Sequence, residues 1–114
     1  MDVRPVDLEI DAFLRRVLIA CAKEDGVVIE PYASTRARDE MGWSHDDVRE
    51  FLPLLTRDDL IEIVPWRRDK KVGLWRFLAP VDDTGDVWAE LVLFVQTGVV
   101  LVVSCHISDG EGEP

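Results

Sequence analysis

ARDEMGWSHDDVREF, residues 37–51, reads as two helical segments around one tight turn. Ala37 and Met41 are apolar one helical turn apart, Gly42 breaks the run, and Trp43-Ser44 makes the link. Ser44-His45-Asp46-Asp47 has the form of a capping box: Ser44 can accept from the third backbone N–H while Asp47 reaches back. Val48, Phe51, Leu52 and Leu55 then form the apolar stripe of a helix expected over 45–58. Pro53 removes one helical hydrogen bond and predicts a kink or a shortened helix. Upstream, Ser34 is the expected cap of a helix over 35–41.

Working outward, residues 6–24 carry apolar positions at spacings of three and four, with Asp7 as cap and Gly26 as stop. Val27-Val28-Ile29 is a short extended piece closed by Pro31. Residues 60–66 and 72–79 read as paired strands around a polar tip, Arg67-Arg68-Asp69-Lys70-Lys71. Two valine-rich runs follow, 87–96 and 99–107, split by Thr97-Gly98. They form either a second hairpin or a helix over 87–97 followed by a strand. The tail 108–114 is polar and acidic, and is expected to be disordered.

The order helix, short strand, helix, tight turn, helix, two-stranded wing is similar to that of the winged helix-turn-helix family. Between Ala37 and Phe77 the resemblance rests on Ala37, Met41, Gly42, Trp43, Ser44, Val48 and Phe51, and on the run Leu55-Thr56-Arg57-Asp58-Asp59-Leu60-Ile61-Glu62 into the first wing strand. With the first helix it covers about residues 6–80. It implies an α+β fold of three helices plus a β-hairpin wing, here with an apolar C-terminal extension. The expected organisation is one domain over 1–107.

DNA binding is what the resemblance implies for function, with the third helix in the major groove and the wing on the backbone or in the minor groove. Carried over by position, Ser44, His45, Asp46, Arg49 and Pro53 would face the groove, with Arg49 and Ser44 reading an edge. Arg67, Arg68, Lys70 and Lys71 would anchor the wing, and Arg36 and Arg38 would reach phosphates beside the turn.

Charge cuts both ways. The chain of 114 residues has a formal net charge of −10, which repels DNA and anionic membrane. Residues 1–64 hold 8 basic and 15 acidic side chains, and residues 81–114 hold 7 acids and no Lys or Arg. Residues 65–80 carry five cations against Asp69 alone. Such a basic island acts locally, because fields decay over about 8 Å in physiological salt. The first turn of the third helix, by contrast, bears Asp46 and Asp47, which stabilise a helix N-terminus but face phosphates badly.

These readings lead to a DNA-binding transcriptional regulator, with double-stranded DNA as partner and a homodimer through 87–107. The alternative is an acidic winged-helix module that binds a protein. No cofactor is expected: there is no Gly-rich phosphate loop, nucleophile motif or clustered ligand set, and His106 beside Cys105 points to the opposite face of a strand. Two cysteines, Cys21 and Cys105, read as reduced thiols. A cytoplasmic location is expected. The 21 residues of 87–107 match a membrane span in length, but Glu90, Gln96, Ser104 and His106 interrupt them and both flanks are acidic.

Overall fold

The computed structural model describes residues 6–108. Helix α1 (Asp7–Cys21) leads into a short strand β1 (Val27–Ile29), then helices α2 (Pro31–Met41) and α3 (His45–Phe51). Strands β2 (Leu60–Trp66), β3 (Asp69–Val81), β4 (Gly85–Phe94) and β5 (Val99–Ile107) complete the chain. They make one mixed sheet in the order β1-β5-β4-β3-β2, antiparallel except for the β1–β5 pair. The described residues are thus α+β, three α-helices against a five-stranded sheet.

All three helices cover one face of the sheet. Ile10, Phe13, Val17 and Ala20 recur at three and four along α1 and bury against Phe77, Ala89, Leu91 and Val102 of the strands. Ala33 and Ala37 of α2 and Val48 and Phe51 of α3 close the same core. Each large side chain removed from water here stabilises the fold by about 1.5–3 kcal/mol. Trp75 stacks on Phe13 with ring centroids 3.8 Å apart, tying β3 to α1.

Several boundaries differ from the sequence reading. Helix α1 ends at Cys21 rather than 24, and a Cβ on Gly26 would overlap the Ala20 carbonyl, so the chain folds back tightly on the helix end there. Helix α2 starts at Pro31, not after Ser34. Proline suits the first helical position because its missing N–H would have no partner there anyway. Gly42, at φ 70°, closes α2: its N–H donates to the Arg38 carbonyl at 2.9 Å and that of Trp43 to Ala37 at 3.2 Å.

The capping box at Ser44 is present in full, with Asp47 N–H donating to Ser44 Oγ at 3.2 Å and Ser44 N–H to Asp47 Oδ2 at 2.8 Å. The third helix stops at Phe51 and tightens into a 3-10 turn over Leu52–Leu54 around Pro53, the shortening that this proline predicts. A second 3-10 turn, Arg57–Asp59, carries the chain into β2, and the Thr56 N–H donates to the Asp59 carboxylate at 2.8 Å.

The C-terminal extension is a hairpin, not a helix followed by a strand. Val87, Ala89 and Leu91 face the core while Trp88, Glu90 and Val92 face away, the period of two that a strand requires. A bulge at Val103 lets Glu90 pair with Ser104 and Leu91 with Val102. Strand β4 lies between β3 and β5, and β1 flanks β5 only along Val100–Val102. Among the described residues no helix is long and apolar enough to cross a membrane. The expected acidic tail lies outside the described residues except for Ser108, whose N–H donates to the Asp86 carbonyl at 2.8 Å.

Candidate nucleic-acid interface

The basic island lies at one end of the sheet. Strands β2 and β3 are joined by two residues, Arg67 and Arg68, with Trp66 paired to Asp69. The five-residue polar tip expected from sequence is therefore shorter, because Asp69, Lys70 and Lys71 extend β3. Pro65, which cannot donate to a ladder, sits in the edge strand, where that costs least.

Within this hairpin the cations are not equivalent. Arg68 folds back on the body: it pairs with Glu30 at 2.8 Å, and its guanidinium lies 5.7 Å from the Trp66 ring centroid. Arg67, Lys70 and Lys71 are exposed and make no ion pair among the described residues. The register shifts here, with Pro65 opposite Gly73 and Trp66 opposite Asp69, so Lys70 and Lys71 lie in an irregular stretch of β3. Lys71 edges a cleft on the helix side with Arg16, while Arg67 and Arg68 edge one on the open side.

The open-side cleft has a volume of about 700 Å³ and is walled by Tyr32, Trp66, Arg67, Arg68, Arg76 and Glu90, among others. Tyr32 is 64% exposed, and Trp66 packs edge-on against Phe94. Arg76 lies at the floor between two carboxylates, at 2.7 Å from both Glu62 and Glu90, on three strands held in register. Burial works to lower the Arg76 pKa, but the hydrogen bonds to Glu62 and Glu90 outweigh it and the net direction is up. Its guanidinium also sits 5.8 Å from the Trp88 ring, and Trp88 pairs across the strands with His106. Planar donors beside aromatic faces suit planar and anionic groups. Sequence reading overlooked Tyr32 and Arg76, because nothing in their local spacing shows that the sheet register brings them beside the hairpin.

In the helical segment the expected contacts are engaged elsewhere. Arg49 donates to the carbonyls of Cys21 at 2.9 Å, Lys23 at 2.7 Å and Glu24 at 3.1 Å. Helix α1 has no basic residue in its last turn, and Arg49 supplies a cationic donor to its last carbonyl, that of Cys21, and to two carbonyls in the turn that follows. A groove-reading Arg49 would have to give up all three bonds. The pKa of the nearby Cys21 thiol is raised by burial, with Arg49 opposing.

His45 is bonded to the Ser34 hydroxyl at 2.8 Å, linking the start of α3 to the first turn of α2. Ser44 serves as the cap. Arg36 bonds Glu40 at 2.6 Å, which raises its pKa against the opposing effect of burial, and leans on Tyr32. Arg38 pairs with its neighbour Asp39, at 3.2 Å on the surface. Of the expected site residues, Arg67, Arg68, Lys70 and Lys71 share the β2–β3 hairpin, with Lys71 at one cleft and Arg67 and Arg68 at another, whereas Arg36, Arg38, Ser44, His45 and Arg49 lie outside it.

His106 is buried, with Nδ1 2.9 Å from the Ile107 carbonyl oxygen. Cys105, on the core side, has its pKa pushed up to about 12 by burial. Among the described residues no three His, Cys, Asp or Glu side chains converge as a metal site would need.

Comparison with known proteins finds no family model that matches this chain and no curated protein that matches its sequence.

Proposed function

We propose that this protein binds nucleic acid, with double-stranded DNA as the first candidate, and that it does so without catalysis through the β2–β3 hairpin. The observation that carries the reading is the trio Arg67, Lys70 and Lys71, exposed and without an ion pair among the described residues, in an otherwise acidic chain. Side chains of this kind can exchange counterions for phosphates, and such binding weakens steeply with salt. In this reading the chain is a winged helix whose wing forms part of a larger sheet, and it acts as a transcriptional regulator. Contact is led by the wing, and the third helix contributes little.

Fluorescence anisotropy with labelled random duplex at rising salt tests it. Binding is expected at low salt and is expected to weaken, with a flatter salt dependence, in an Arg67→Ala, Lys70→Ala, Lys71→Ala variant that still folds. A single-stranded oligonucleotide that competes better than duplex would move the contact into the cleft beside Tyr32 and Trp66, where bases can stack. No binding at low salt would defeat the reading.

One observation favours a second reading, a protein partner. With Arg49 and His45 bonded internally, α3 turns Asp46 and Glu50 to solvent. That face repels phosphate and suits a basic protein surface. Charge reversal at Asp46 and Glu50 would abolish capture of such a partner and would leave, or strengthen, binding to DNA.

A further inference from the structure

We propose that this chain self-associates through α1, which packs antiparallel against α1 of a second copy. Leu8, Ala12, Arg15 and Ile19 follow a four-three-four spacing on the side of α1 opposite Ile10, Phe13, Val17 and Ala20, which are buried. Leu8 is 79% exposed and Ile19 47%. Together with Asp11 and Arg16 the four line a shallow groove of about 260 Å³ on the outside of the helix layer.

The stripe is complementary to itself when reversed. With a two-fold axis between Phe13 and Leu14, Leu8 meets Ile19 of the other copy, Asp11 meets Arg16, and Ala12 meets the aliphatic stem of Arg15. Every such pair occurs twice, as an isologous interface demands. The small Ala12 near the axis lets the helices approach. The charges agree with this arrangement: the acids of α1, Asp7, Glu9 and Asp11, lie in its first half, and its cations, Arg15 and Arg16, in its second. Antiparallel pairing sets unlike halves and opposed helix dipoles side by side, whereas parallel pairing would oppose like charges. Neither Arg15 nor Arg16 makes an ion pair within the chain among the described residues. Asp11 meets Arg57 at 2.6 Å through Oδ2, which leaves Oδ1 for the partner copy.

Charge exchange tests this independently of nucleic-acid binding. Sedimentation velocity at sub-millimolar protein is expected to show a reversible dimer. Arg16→Asp alone and Asp11→Arg alone are each expected to weaken it about tenfold or more, by opposing like charges twice. Mixing the two variants is expected to restore a heterodimer, since the two acids of the first variant then face the two cations of the second. Leu8→Ser with Ile19→Ser is expected to give monomer with an unchanged circular-dichroism spectrum. A wild-type chain that stays monomeric, a dimer indifferent to both reversals, or a mixture that fails to re-associate would overturn the proposal.

Discussion

Arg49 and Arg67 have the same side chain, and either could hold a phosphate or a guanine. Arg49, in the helical segment, is held by three carbonyls at the end of α1, and its neighbours His45 and Ser44 are also committed to internal bonds. Arg67, at the hairpin, has no ion-pair partner among the described residues, nor do Lys70 and Lys71. A residue's position in a motif does not establish its availability. A guanidinium bonded to the carbonyls at a helix end and the turn after it is structural, whatever element carries it.

Breaking the part common to both regions has the largest expected effect. Phe77 is fully buried in β3 beneath the helices, and Phe77→Ala should cost about 3–5 kcal/mol. Denaturant unfolding followed separately through helical and strand signals should show both regions lost in one transition. Two separate transitions would mean that the helices and the hairpin are independent units.

The next effect separates the regions by function. Replacing Arg67, Lys70 and Lys71 with Ala should lower the slope of log affinity against log salt by about 3, while stability changes by less than about 0.5 kcal/mol. Equal slopes in variant and wild type would deny the hairpin its role.

Arg49→Ala should do the reverse. Three charge-assisted bonds at a partly exposed site contribute about 2 kcal/mol in all, and the loss should appear in unfolding while DNA affinity holds. If affinity fell and stability did not, the helical segment would be the reader after all.

A pH series calibrates the core. Burial raises the Cys105 pKa from 9.0 to about 12. The unfolded thiol therefore ionises first as pH rises, and the contribution of protonated Cys105 is complete below pH 9 and lost between about pH 9 and 12. The stability difference between wild type and Cys105→Ala should shrink across that window, by at most about 1.4 kcal/mol per pH unit. A constant difference would show that the thiol is hydrated.

Local chemistry was legible where its partners are neighbours in sequence. Gly42 as the end of α2, the Ser44–Asp47 box and the effect of Pro53 are all settled within one or two turns of chain, so their residues announce them. The hairpin assignment of 60–79 was readable for the same reason, though its tip is shorter because cross-strand pairing recruits Asp69, Lys70 and Lys71. Strand and helix stayed open over 87–97, since valine-rich apolar runs of that length fit either.

Long-range pairing was not legible. Nothing in Val27-Val28-Ile29 shows that β1 joins β5, far along the chain, at the opposite edge of the sheet from β2. Nor does the spacing of Arg49 and Cys21, or of Glu62, Arg76 and Glu90, foretell their contact. Most element types, the helix caps around the turn and the place of the basic island follow from the chain alone, because each depends on backbone preferences and charges close along it. Which cations are engaged internally, which face of the sheet the helices leave uncovered and where the cleft lies are set by the folded arrangement. Those depend on strand order and on hydrogen-bond partners far apart in the chain, which are chosen by burying one common core.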